Sequence, residues 1–252
     1  MKAEEYEKMY RIEEANWWYK GRRELAVEIL SGIKQGYKKL DVLDLGCGTG
    51  QNLISFQSSG DCRCHGMDIS MEALRFCRSR ENLSLARGSG EMLPFKSNAF
   101  DVVFALDVIE HIEDHKRAMK EICRILRPGG FLVLTVPAFQ FLWSAHDTAN
   151  HHKRRYTRAG LIRDLESSHL SVEKSTYWNF FLFPAVALFR LIRRSGEEAS
   201  ARTDLPDPPG VLNSLLLKML RLEKAMILRG VTLPVGVSIL CVCRNGGDHE
   251  RG

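Results

Sequence analysis

Three glycines spaced two apart, Gly46, Gly48 and Gly50, close the run VLDLGCGTG and follow an acidic residue, Asp44. Glycine lets the backbone take conformations that a Cβ forbids and lets a ligand approach the main chain closely. A helical pattern opens directly after the run, so the unpaired N–H groups of its first turn face the same loop. Asp68 ends the next strand-like segment about twenty residues on, a spacing at which a carboxylate reaches ribose hydroxyls. The glycines follow G-x-G-x-G rather than the G-x-G-x-x-G of dinucleotide sites, which argues against a nicotinamide dehydrogenase. A glycine loop alone also suits a structural turn. The order strand, acid, glycines, helix, strand, acid is what points to a ligand site.

A second set of residues could move protons or hold a substrate. His111 stands just past a strong strand, where open α/β sheets place their sites, and histidine suits general base work at neutral pH. His146 and His151 or His152 follow in a later loop. Arg154, Arg155 and Tyr156 suit an anionic or polar substrate group, or else a solvated basic face. Glu110, Glu113 and Asp114 read as acids at a helix start, where the dipole favours them. His111 and His115 are four apart and hint at a metal, yet a catalytic metal needs a third placed ligand, so no metal is expected. The CxC pairs Cys62/Cys64 and Cys241/Cys243 fall in strands and read as small buried apolar residues.

The elements that must position these groups alternate. A helix runs to about Gln35, with Leu25, Ala26, Ile29, Leu30 and Ile33 along one stripe. Val42–Leu45, Cys62–Met67, Leu83–Ala86, Phe100–Leu106 and Phe131–Val136 read as strands, and Arg127-Pro128-Gly129-Gly130 reads as the stop of a helix from His115 to Leu126. Ser70 and Thr157 are good N-caps. Strands alternating with helices predict an α/β fold, a mostly parallel sheet covered on both faces. Val172–Trp178 and Val237–Cys243 add two more strands. Between them lie two apolar helical stretches, Phe180–Arg193 and Val211–Leu228, joined by a linker-like SGEEASARTDLPDPPG. The tail NGGDHERG is expected to fray.

The 252 residues suffice for one large domain. A net charge of +5 is too mild to mark a nucleic-acid binder. Seven cysteines fit no disulfide framework, and the charged start carries no signal-peptide pattern, so a cytoplasmic chain with reduced thiols is expected.

From about Leu40 to Val136 the chain resembles the class I S-adenosylmethionine-dependent methyltransferases. The resemblance rests on VLDLGCGTG, on EMLPFKSNAFDVVFALDVIEHIED and on the RPGG turn. It implies a Rossmann-like doubly wound sheet of seven strands with a helical insertion before the last, and S-adenosyl-L-methionine as cofactor. It places Asp44, Gly46, Cys47, Gly48 and Gly50 around the methionine part, Asp68 on the ribose, Ile69 against adenine and Asp107 at the methionyl end. Ser89, with Gly90, stands where the family often has an acid for the adenine amino group; Glu91 is two positions late. NWWYKGRREL and HDTANHHKRRYT resemble a bacterial and archaeal subgroup, in which Trp17, Trp18 and Tyr19 would form a lid or pack the first helix.

The domain division expected is an N-terminal helical cap (1–36), a core (37–178 plus 231–245) and the insertion (179–230). The expected activity is methyl transfer to a small-molecule or lipid-like acceptor, with His111 as catalytic residue and His146, Arg155 and Tyr156 on the substrate. The alternative is a non-catalytic S-adenosylmethionine-binding scaffold. No nucleic-acid partner is expected, because Asp107-Val108-Ile109-Glu110 stands where a base methyltransferase carries asparagine-proline-proline-aromatic. Arginines beside the apolar insertion also suit a peripheral membrane contact.

Overall fold

The computed structural model describes residues 3–35, 38–80, 83–193 and 208–247. Five strands enter first: β1 (Leu40–Leu45), β2 (Cys62–Asp68), β3 (Ser84–Arg87), β4 (Phe100–Leu106) and β5 (Leu126–Pro137). β6 (Leu170–Trp178) and β7 (Ser238–Asn245) complete one sheet of order β3-β2-β1-β4-β5-β7-β6. β1 to β5 are mutually parallel, while β7 runs antiparallel between β5 and β6. Every residue of β1 is buried, as a strand covered on both faces requires. From β1 the chain passes to β2 and β3 on one side, then crosses back to β4 on the other. Open α/β sheets bind ligands at the carboxyl ends of the strands flanking such a switch.

The covering helices are α1 (Ala3–Ile12), α2 (Trp17–Ile33), α3 (Gln51–Ser58), α4 (Met71–Arg78), α5 (His115–Ile125), α6 (Ala145–Ala149), α7 (Arg158–Glu166), α8 (Phe183–Arg193) and α9 (Gly210–Leu228). The N-cap readings hold: Ser70 accepts from the Ala73 N–H and Thr157 from the Gly160 N–H. The single N-terminal helix expected is two, because the Asn16 side chain caps the Trp18 N–H and starts a new helix. The RPGG turn does end α5, but it also lies inside β5. Gly130 is required there, since a Cβ would sit 2.9 Å from the carbonyl oxygens of Arg127 and Asp101. The loop from Phe139 to Thr157 contains a short 3-10 turn and α6, whose Ser144 and Asp147 form a reciprocal capping box.

α2 and α9, nearly two hundred residues apart, pack as a pair. A Cβ on Gly21 would lie 2.4 Å from Leu220 Cδ1, the Trp17 N–H donates to Asn213 Oδ1 at 2.8 Å, and Arg221 pairs with Glu24. No helix among the described residues is long and apolar enough to cross a membrane. All seven cysteines are free thiols, and the two CxC pairs stand on β2 and β7, separated in the sheet by β1, β4 and β5. Most of the linker and the end of the tail lie outside the described residues.

Candidate active site

At the end of β1 the backbone turns through three left-handed glycines, with φ of +70° at Gly46, +54° at Gly48 and +87° at Gly50. L-residues take such angles only at a cost of about 1–2 kcal/mol. Gly46 and Cys47 donate to the Met67 carbonyl, which ties the loop to β2. Asp68 fixes it further: one oxygen accepts from the Gly48 N–H at 3.0 Å, the other from Ser70 at 2.8 Å. Burial raises the Asp68 pKa, against the hydrogen bonds of Ser70 and Gly48. Asp44 is buried more deeply; burial pushes its carboxyl up to about 7, opposed by Arg22 and Asn52, and its Oδ2 has no partner. The Cys47 thiol lies 3.9 Å from that of Cys77, which donates to the Gly48 carbonyl.

α1 roofs this loop. Met9 Cε lies 2.6 Å from where a Gly48 Cβ would be. Glu13 accepts from Thr49 Oγ1 and pairs with Arg80, whose guanidinium sits 4.1 Å under the Tyr10 ring. Burial raises the Tyr6 hydroxyl to about 12 beside Asp68. The aromatics of NWWY serve elsewhere: Trp18 and Tyr19 flank the Arg22 guanidinium at 5.9 and 5.8 Å. Arg22 pairs with Asp107, a left-handed residue (φ +57°) past β4 whose other oxygen accepts from Thr135. Reasoning from sequence missed Arg22; the signal was an arginine one turn after the tryptophans. Ile69 is 65% exposed beside this edge. Ser89 accepts from the Glu91 N–H, a Gly90 Cβ would meet Ile112 at 2.5 Å, and Glu91 itself turns away to hold the Asp114 N–H.

The histidines gather around the 3-10 turn Ile109–His111 after β4. The His111 and His152 rings meet edge-on at 4.7 Å, and His146 lies 6.2 Å from His152. Burial, reinforced by His152, lowers His111 to about 4, so it is neutral at physiological pH. His115 is not part of this group; it contacts Arg154 and Asp164. Arg155 is neither solvated nor open to a substrate. It is buried, with Nε 2.8 Å and Nη2 3.1 Å from the Asp147 carboxylate and Nη1 3.0 Å from the Ala138 carbonyl. Tyr156 is likewise buried, its ring against His115. Glu110, read as a helix-start acid, is fully buried, and burial lifts its carboxyl well above the ordinary range. Asp114 does cap α5, accepting from the Arg117 N–H.

Residues 43–134 match the methyltransferase domain family. The malonyl-[acyl-carrier protein] O-methyltransferase of Methylococcus capsulatus is 30% identical over 158 residues, 58% of each chain. A "probable S-adenosylmethionine-dependent methyltransferase" of Mycolicibacterium smegmatis is 29% identical over 206 residues, 79% of this chain and 76% of its own. The chain spans between 33 and 58% of the length of the first curated relatives it matches. A chain from the "complex between the Haloferax volcanii Trm112 methyltransferase activator and the putative methyltransferase" superposes with a TM-score of 0.62 at 19% identity, over 99% of this chain and 96% of that one, which establishes the fold. Domain match, relatives and sheet order agree with the loop geometry: residues 43–134 match a methyltransferase domain, and the chain is similar in sequence and fold to the class I S-adenosylmethionine-dependent methyltransferases.

Proposed function

We propose that the protein transfers the methyl group of S-adenosylmethionine to a small-molecule acceptor held at the carboxyl end of β4. The observation that carries this reading is the left-handed glycine loop set between the buried carboxylates Asp44 and Asp68. The residues fit the cofactor: the left-handed glycines bring the bare backbone to the carboxyl end of β1, and Asp44 Oδ2 and Arg22 Nε are buried polar atoms without partners. Once bound, the cofactor supplies an electrophilic methyl group on a sulfonium sulfur.

The chain's own residues supply binding and position. A carboxylate accepts about four hydrogen bonds, so Asp68 keeps capacity for ribose hydroxyls beyond its two backbone donors. Asp44, Arg22 and Asp107 would hold the charged amino-acid end, with Cys47 and Gly50 shaping the turn. Ile69 offers an apolar face to adenine, and Ser89 and Gly90 line its edge. Because α1 lies over the loop, loading requires α1 to move. In-line transfer depends chiefly on holding the nucleophile at close range. His111, a neutral imidazole just past β4, is assigned to the acceptor side of the site, and His146 on α6 lies 6.2 Å from His152. Phe139 stacks on Tyr177 at 5.2 Å and meets Phe183 at 5.7 Å, an aromatic wall that supports an acceptor with an apolar body. Exposed Leu188, Ile192, Val211 and Leu215 on α8 and α9 support delivery of a lipid-like acceptor from a membrane surface.

Calorimetric titration tests the reading. Saturable binding of S-adenosylmethionine, none of NADH, and weaker binding by Asp68→Ala are expected, with S-adenosylhomocysteine formed when a small-molecule extract is added. Folded protein that does not bind S-adenosylmethionine would refute it; binding without turnover would favour the scaffold role.

A further inference from the structure

We propose that Glu110, His111 and His152 bind a divalent transition-metal ion beside the carboxyl end of β4. One ligand atom from each of the three lies within 4.8 Å of the other two. Glu110 is 0% exposed, and neither carboxylate oxygen finds a partner on another residue. A buried carboxylate left so is costly unless a proton or a cation compensates it. Arg22 and Arg155 act on it through their charge alone, since they pair with Asp107 and Asp147.

Both imidazoles are set for coordination. His152 Nδ1 lies 2.8 Å from Asp147 Oδ1, which keeps the proton on that nitrogen and leaves the Nε2 lone pair free. Asp147 is itself fixed by Arg155 and by the Ser144 N–H at 2.9 Å, so the orientation of His152 is built in from behind. The His111 ring meets that of His152 edge-on at 4.7 Å, which sets the two imidazoles side by side. The Lys153 N–H donates to the Glu110 carbonyl oxygen at 2.8 Å and locks the histidine loop to the 3-10 turn. Ligating histidines characteristically carry such carboxylate or carbonyl partners. Asp107, whose charge also acts on Glu110, is already held by Arg22 and Thr135.

Two imidazoles and one carboxylate suit zinc, iron(II), cobalt or manganese, whereas calcium and magnesium favour all-oxygen sets. Three protein ligands leave coordination positions for an oxygen of a second molecule. The inference stands on these side chains and does not depend on methyl transfer.

Co²⁺ titrated into the chelator-treated full chain reads the site through its visible ligand-field absorption, with Zn²⁺ calorimetry in parallel. One equivalent is expected to bind. Glu110→Gln and His152→Ala are expected to weaken binding at least tenfold, while His115→Ala leaves it unchanged; circular dichroism verifies the fold of each. Should Glu110→Gln not fold, His152→Ala decides. The proposal is overturned if wild type shows no saturable binding, if His152→Ala binds as wild type does, or if His115→Ala loses as much.

Discussion

Arg155→Met separates an anchor from a substrate residue. The Asp147 carboxylate is fully buried and accepts from Arg155 Nε and Nη2, His152 Nδ1 and the Ser144 N–H. Burial pushes its pKa up, but the His152 hydrogen bond and the Arg155 charge outweigh it and hold the group well below the ordinary carboxylate range. Methionine removes the nearer cation and both its bonds to Asp147 while keeping the apolar stem, and Arg190 stays 3.8 Å from the carboxylate. Removing one partner of a buried ion pair costs about 3–5 kcal/mol. For a chain of this size each kcal/mol moves Tm by about 2–4 °C, so a fall of about 6–20 °C is expected in calorimetry. Arg155→Lys, which keeps the charge and loses the fork, should fall less. An unchanged Tm with a raised KM for the acceptor would refute the reasoning and return Arg155 to the substrate.

Gly46→Ala should destabilise by about 2–5 kcal/mol in urea titration, since it adds a left-handed penalty of about 1–2 kcal/mol to overpacking of about 1–3 kcal/mol against Val108 Cγ2 at 2.4 Å. Glu223 is buried in α9, and burial raises its carboxyl despite the Phe181, Phe180 and Asn179 N–H groups. Its stability contribution is therefore full below about pH 4.3 and is lost as pH rises through the higher folded-state pKa. Relative to Glu223→Gln, the wild type should be more stable at pH 4 than at pH 7.5, and a pH-independent difference would count against it. Arg221→Ala removes a half-exposed partner of Glu24 and should cost no more than about 1 kcal/mol.

The parallel half of the sheet was legible because strands buried on both faces leave apolar runs between helix caps such as Ser70 and Thr157. The turn at the glycines and its tie to Asp68 were legible for a local reason: the loop follows from backbone conformation at consecutive residues. The histidine site was not. Glu110 and His152 are forty-two positions apart, and nothing in a helix-start reading says that the 3-10 turn aims Glu110 inward. Arg154-Arg155-Tyr156 suited a substrate group or a solvated basic face, although Asp147, eight residues before Arg155, was the available counter-charge. Arg22 was hidden among ordinary helix charges, since its partner Asp107 is brought near only by the fold.

The place of β7 bears on how the protein assembles as it is synthesised. β6 touches the sheet through β7 alone, and β7 is contributed by residues 238–245. Until those residues are available, the edge of β5 stays open and β6, already made, has no strand to join. An unpaired edge is a template for pairing with other chains, and such long-range pairing is slow. The parallel half, with its glycine loop, needs no residue beyond Pro137 for its strand pairing. Nascent chains should therefore pass through a half-built sheet in which the last strand acts as both wedge and clasp, closing the molecule in a single late insertion.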